Sequence, residues 1–164
     1  MALKRVVVTG LGALTPIGNN LNDFWTGLIE GKSGAAPITY FDTEKFKTKF
    51  ACELKGFDVS LHLDRKQQRK MDRFTQYGMV STEEAIQDSG LDLEKIDKLR
   101  VGVIWGSGIG GIETFQNQML DHASGDGTPR FNPFFIPKMI ADITPGYISM
   151  NYGFMGPNYT TVSA

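Results

Sequence analysis

Residues 101–111 read VGVIWGSGIGG, an apolar run rich in β-branched residues that ends in glycines at 106, 108, 110 and 111. The run has the length and composition of a buried strand, and Ile112, Phe115 and Met119 behind it recur at helical spacing. The stretch is a strand, a glycine turn and a helix, the repeating unit of a parallel α/β sheet. Gly106, Gly108 and Gly111 also match the G-x-G-x-x-G pattern of dinucleotide loops. That pattern needs an acidic residue at the end of a second strand about twenty positions later, to bind a ribose hydroxyl. Asp126 stands near that distance but lies in SGDGTP, a loop sequence, which favours a structural turn or another ligand pocket.

Outward from this unit the same alternation recurs. Val6 to Val8 form a short apolar run closed by Gly10, the signature of a strand buried on both faces. Leu21, Phe24, Trp25 and Leu28 predict a helix over residues 21–30 with Gly31 as its C-terminal cap. Residues 36–60 alternate charged and aromatic side chains, as short edge strands or a surface excursion would. Asp64 can cap one long helix reaching about Ser89, with Met71, Phe74, Tyr77, Gly78 and Ala85 as its apolar stripe and Gly90 as its stop. Gly78 in that stripe permits close packing. Ile136, Ile140, Ile143 and Tyr147 predict a further helix, with Pro137 near its start and Pro145 kinking it. GPNYTTVSA, residues 156–164, begins a third strand. Three strands alternating with helices predict an α/β sheet with parallel neighbours. A buried third strand without the helix that should cover it implies a piece of a longer protein, or a chain that needs a partner.

Composition narrows the function. With 164 residues, 41% of them hydrophobic and 21% charged, the chain is long enough for one domain with a sizeable core. Seventeen basic against eighteen acidic residues leave no overall field for nucleic acid or an anionic membrane, so electrostatic recognition must be local. A single cysteine, Cys52, rules out an intrachain disulfide or CxxC motif, and His62 and His122 add too little for a structural zinc site. No window has the length of a membrane span or the pattern of a signal peptide, and a soluble cytoplasmic protein is expected. Cys52, His62 and His122 have no adjoining base or orienting carboxylate, and all three read as structural.

Two charged stretches invite sharper readings. TGLIEGKSG resembles a phosphate loop, but three residues separate Gly27 from Gly31 where that loop has four, and it falls at the end of a helix instead of before one. DRKQQRKMDR places Lys66, Arg69, Lys70 and Arg73 at i, i+3, i+4 and i+7, one face of a continuous helix. That face is either a solvated surface or a docking site for a compact acidic partner.

Five blocks, RVVVTGLGALTPIGNN, RKQQRKMDRFTQYG, GSGIGG, NPFFIPKMIAD and GPNYTTVSA, occur in order across essentially the whole chain. Together they resemble the N-terminal part of the β-ketoacyl-acyl-carrier-protein synthase family, type II branch. The resemblance implies the thiolase-like fold, a duplicated α/β architecture layered αβαβα, of which residues 1–164 would be most of the first half. It implies an acyltransferase of fatty acid synthesis that works as a homodimer without a cofactor and condenses malonyl- and acyl-thioesters delivered on the phosphopantetheine arm of acyl carrier protein. In the family the nucleophilic cysteine follows the strand resembling TTVSA, so it is expected immediately after Ala164, with two histidines and a lysine further on. No catalytic residue is expected within the 164, and this piece alone should not condense. A cysteine there suits the chemistry, because a helix N-terminus favours the thiolate and its backbone amide can hold the oxyanion. Carried over by position, Ile109 would line the end of the acyl pocket, Phe135 would line it across the dimer interface, and Lys66, Arg69, Lys70 and Arg130 would dock the carrier. Cys52 does not match the nucleophile. A non-condensing chain-length subunit is the alternative, and a dinucleotide-binding module a remote one.

Overall fold

The computed structural model describes residues 3–163. Two compact units emerge: residues up to Asp58 together with Val80–Leu91, and Val59–Met79 together with the chain from Asp92 onward.

In the first unit, α1 (Leu21–Ile29) starts at Asn20, whose side chain accepts the Asp23 amide at 2.8 Å. Glu84 holds the incoming segment, accepting the amides of Ala13 at 2.8 Å and Leu21 at 2.7 Å, while Asp88 accepts that of Leu11 at 2.9 Å. Two short strands, β1 (Ala36–Pro37) and β2 (Phe50–Ala51), pair antiparallel, the edge-strand form of the surface excursion. The strand expected at Val6 to Val8 is absent. These residues are 58–89% exposed, and no described residue pairs with them in a ladder. A run of valines fits a strand, but a strand exists only where a neighbour takes its backbone hydrogen bonds.

The second unit is built on β3 (Val103–Ser107) and β4 (Asn158–Val162), which pair parallel with Trp105 opposite Thr160. The expected strand–turn–helix follows, with α4 at Ile112–Ser124. Among the described residues the parallel sheet has two strands, not three. The helix expected from Asp64 to Ser89 is two helices, α2 (Arg65–Lys70) and α3 (Arg73–Ser89), separated by extended backbone at Met71. Asp64 does cap α2, in a reciprocal box with Gln67. Gln76 bridges the break, donating to the carbonyls of Gln68 at 3.2 Å and Met71 at 3.3 Å. Gly90, with φ of 62°, follows α3 as expected.

The Ile136–Tyr147 pattern likewise divides, into α5 (Phe135–Met139) and α6 (Ile143–Tyr152). Pro145 sits in the first turn of α6, where its missing amide costs nothing, and it makes no kink. The break lies earlier because the Met139 carbonyl accepts the Gly111 amide at 2.9 Å instead of continuing the helix.

Leu63, Met71, Met79, Ile148 and Phe154 form the apolar core of this unit. Gly78 is there for proximity: a Cβ would lie 2.7 Å from Thr144 Cγ2 and 2.9 Å from the Trp105 ring. Beside it, fully buried Thr75 and Thr144 join hydroxyl to hydroxyl at 3.1 Å. Replacing Thr144 by Val strands the other hydroxyl and should lower stability by about 1–3 kcal/mol, whereas Thr75→Val with Thr144→Val should recover part of that loss. Urea unfolding of the four combinations checks this, and strictly additive losses would show that the pair is not coupled.

Candidate functional site

The glycine turn after β3 is seated on the C-terminal end of α5. Gly110 has φ of 80° and donates its amide to Ser107 Oγ at 3.1 Å. A Cβ at Gly110 would lie 2.6 Å from the Met139 carbonyl oxygen, and one at Gly111 2.1 Å from that of Lys138. The room these glycines make is filled by the protein's own backbone, not left open for a pyrophosphate. Asp126, the acid a dinucleotide loop would need, is bound into its own turn. The Thr128 amide, donating at 2.9 Å, and the Arg130 guanidinium at 3.1 Å hold its carboxyl below the usual range. Ile109, immediately before Gly110, is 66% exposed.

Phe135 opens the helix on which the turn is seated. The preceding Asn132 orders it, accepting the Phe135 amide on its carbonyl and the Phe134 amide on Oδ1, both at 2.8 Å. The turn carrying Ile109 and the helix carrying Phe135 are thus tied by the Gly111–Met139 hydrogen bond.

The basic residues divide between two helices. Lys66, Arg69 and Lys70 lie on α2, with Lys66 and Arg69 exposed. Lys70 Nζ lies 5.6 Å from the centroid of the Phe134 ring, a cation–π contact that ties it to the start of α5. Arg73, expected on the same face, belongs to α3 and pairs with Glu113 at 3.0 Å. Arg130 lies apart in sequence and pairs with Asp126. Arg65, Arg69, Arg73, Glu113 and Lys138 line an open recess of about 670 Å³. Of these, Glu113 lay in no motif.

The residue that sequence reasoning missed is Asp72. It is buried, and its two oxygens cap two helices. Oδ1 accepts the Phe74 amide of α3 at 3.3 Å, while Oδ2 accepts both the amide of Thr114, at 3.1 Å, and the Thr114 hydroxyl. Helix α4 has at its N-cap Gly111, which has no side chain to cap it, so its cap comes from a carboxylate 42 residues away in sequence.

Residues 3–164 match the family model described as "Beta-ketoacyl synthase, N-terminal domain". The chain belongs to the β-ketoacyl synthase family. It is 45% identical over 98% of its length to 3-oxoacyl-[acyl-carrier-protein] synthase 2 of Staphylococcus aureus strain COL, and 44% identical to the protein of that name from Synechocystis. It spans 39% and 38% of those relatives. Among solved structures it resembles the ishigamide ketosynthase/chain length factor, with a TM-score of 0.86 and 28% identity over 98% of this chain and 40% of that one. It also resembles a type II polyketide ketosynthase in complex with its acyl-carrier protein, with a TM-score of 0.77 and 27% identity over 97% of this chain and 41% of the other. The fold is therefore the thiolase-like α/β fold of ketosynthases.

Within this synthase domain Cys52 is exposed beside β2, and His122 lies tilted against Phe131 with ring centroids 5.3 Å apart. Among the described residues no three His, Cys, Asp or Glu side chains group as a metal site, and no helix is long and apolar enough to cross a membrane. Asp72→Ala, which removes both caps, should destabilise the domain by about 2–4 kcal/mol, and Asp72→Asn, which keeps one acceptor, by less. Denaturant unfolding measures both, and an unaffected Asp72→Ala protein would refute the double cap.

Proposed function

We propose that the full-length protein is a 3-oxoacyl-acyl-carrier-protein synthase of fatty acid biosynthesis, a cytoplasmic homodimer. The observation that carries this reading is the identity, held over nearly the whole chain, to relatives bearing that name. The reaction is a decarboxylative Claisen condensation. An acyl group passes from the carrier thioester to a cysteine thiolate, expelling the carrier thiolate, which takes a proton from solvent. Malonyl-carrier protein then loses carbon dioxide, and the electron pair left behind as an enolate attacks the acyl carbon while the cysteine thiolate leaves. In this reading the cysteine, two histidines and a lysine belong to the enzyme beyond these 164 residues. The substrates arrive on the carrier's phosphopantetheine arm, and no cofactor of the enzyme's own is needed.

The present residues serve recognition. Lys66, Arg69 and Lys70, together on α2, and Arg130 receive an acidic carrier protein. Support comes from their shared basic character and from the solved ketosynthase relative in complex with its acyl-carrier protein. Exposed charges of this kind steer encounter and register, and salt weakens them. Arg130 exchanges its Asp126 partner for a carrier carboxylate on docking. Lys66→Glu with Arg69→Glu in the full enzyme should raise KM for acyl-carrier substrates by about tenfold at low ionic strength, converging with wild type at high salt. Unchanged KM would remove this surface from the docking site.

Ile109 closes the end of the acyl pocket, and Phe135 lines it from across the dimer. Both are apolar, as a site for an acyl chain requires. Ile109→Phe should shorten the longest acyl chain accepted while shorter primers still react. Product analysis by mass spectrometry checks this, and an unaltered chain-length profile would move Ile109 out of the pocket.

A further inference from the structure

Phe135 has near-parallel aromatic neighbours from two parts of the chain. Phe115 of α4 stacks on it with centroids 6.3 Å apart and planes 20° apart, and Phe131 of the preceding loop does so at 5.6 Å and 16°. His122 packs on Phe131 from beyond, tilted by 39°. Phe115, Gln118 and His122 stand at i, i+3 and i+7 on one side of α4. Gln118 Oε1 accepts the Asn132 amide at 2.7 Å, which fixes the backbone next to Phe131. A phenylalanine has no hydrogen-bonding handle, so its ring angle is set by the rings and backbone around it. Phe115 and Phe131 are about two-fifths exposed, at 41% and 40%.

We propose that Phe131 and Phe115 are positioning residues that hold the Phe135 ring at one angle and thereby set the acyl length the enzyme accepts. The proposal rests on the reading that Phe135 lines the acyl pocket. Without the Phe131 ring, Phe135 gains room to swing, and a longer chain can enter.

The test uses the full-length enzyme and a series of acyl-carrier primers of increasing length, with kcat and KM measured separately for each. Phe131→Ala should raise the ratio of kcat/KM for long over short primers by about two- to tenfold, the factor one stacked ring pair is worth. Phe131→Tyr keeps the ring and should retain the wild-type ratio. Phe115→Leu carries the same expectation as Phe131→Ala and decides the matter if that protein does not fold. An equal fall across all primer lengths would reduce the stack to a structural role and overturn the proposal. Phe135→Ala separates the two levels. If it changes the ratio while the Phe131 and Phe115 variants do not, the positioning idea fails and the pocket reading stands. If it too leaves the ratio unchanged, the pocket reading falls and takes the proposal with it.

Discussion

One buried carboxylate organises the second unit. Asp72 must present one oxygen to α3 and the other to α4, which it can do only from a non-helical position between α2 and α3. That requirement breaks the single helix that the Asp64 cap and the apolar stripe from Met71 would otherwise predict. The break has an electrostatic consequence, because it separates Arg73 from Lys66, Arg69 and Lys70 and leaves it to pair with Glu113 in the first turn of α4. A basic run that reads as one face becomes two sets, one on α2 and one held by Glu113 in a partly exposed ion pair.

Much of the fold was legible because its signals are local. Asp64 caps α2, Gly90 follows α3, and β3 leads into a glycine turn and a helix, all recognisable from a few neighbouring residues. The failures share a different cause. The breaks at Met71 and Ile140 are imposed by hydrogen bonds to residues far away in sequence, Thr114 for the first and Gly111 for the second. Apolar periodicity cannot register either: before the first break α2 is RKQQRK, with no apolar residue to mark a face of its own, and across the second the spacing of Ile136, Ile140 and Ile143 runs on unbroken. Val6 to Val8 failed for a third reason. A buried-strand pattern states what cover the side chains require, and among the described residues none of that cover is present.

The site was legible to a lesser degree. The glycine pattern of residues 106–111 is ambiguous by itself, since the same spacing serves a phosphate or another segment of backbone. The carbonyls of Lys138 and Met139 decide between them by occupying the space at Gly110 and Gly111. No sequence pattern of the turn encodes that partner.

Helix α5 joins the two recognition tasks proposed for this domain. Its N-cap Phe134 receives the Lys70 ammonium over its ring, and the next residue, Phe135, enters the aromatic stack with Phe115 and Phe131. Its last residue, Met139, accepts the hydrogen bond that seats the Ile109 turn. The five-residue helix and its cap thus connect the Lys70 cation proposed to meet the carrier, the Phe135 ring proposed to line the pocket and the turn that carries Ile109. A helix this short has little stability of its own, since nucleation is costly and only propagation repays it. What holds it is its attachments, so the proposed docking and pocket residues depend on one another's packing more than their separation along the chain would indicate.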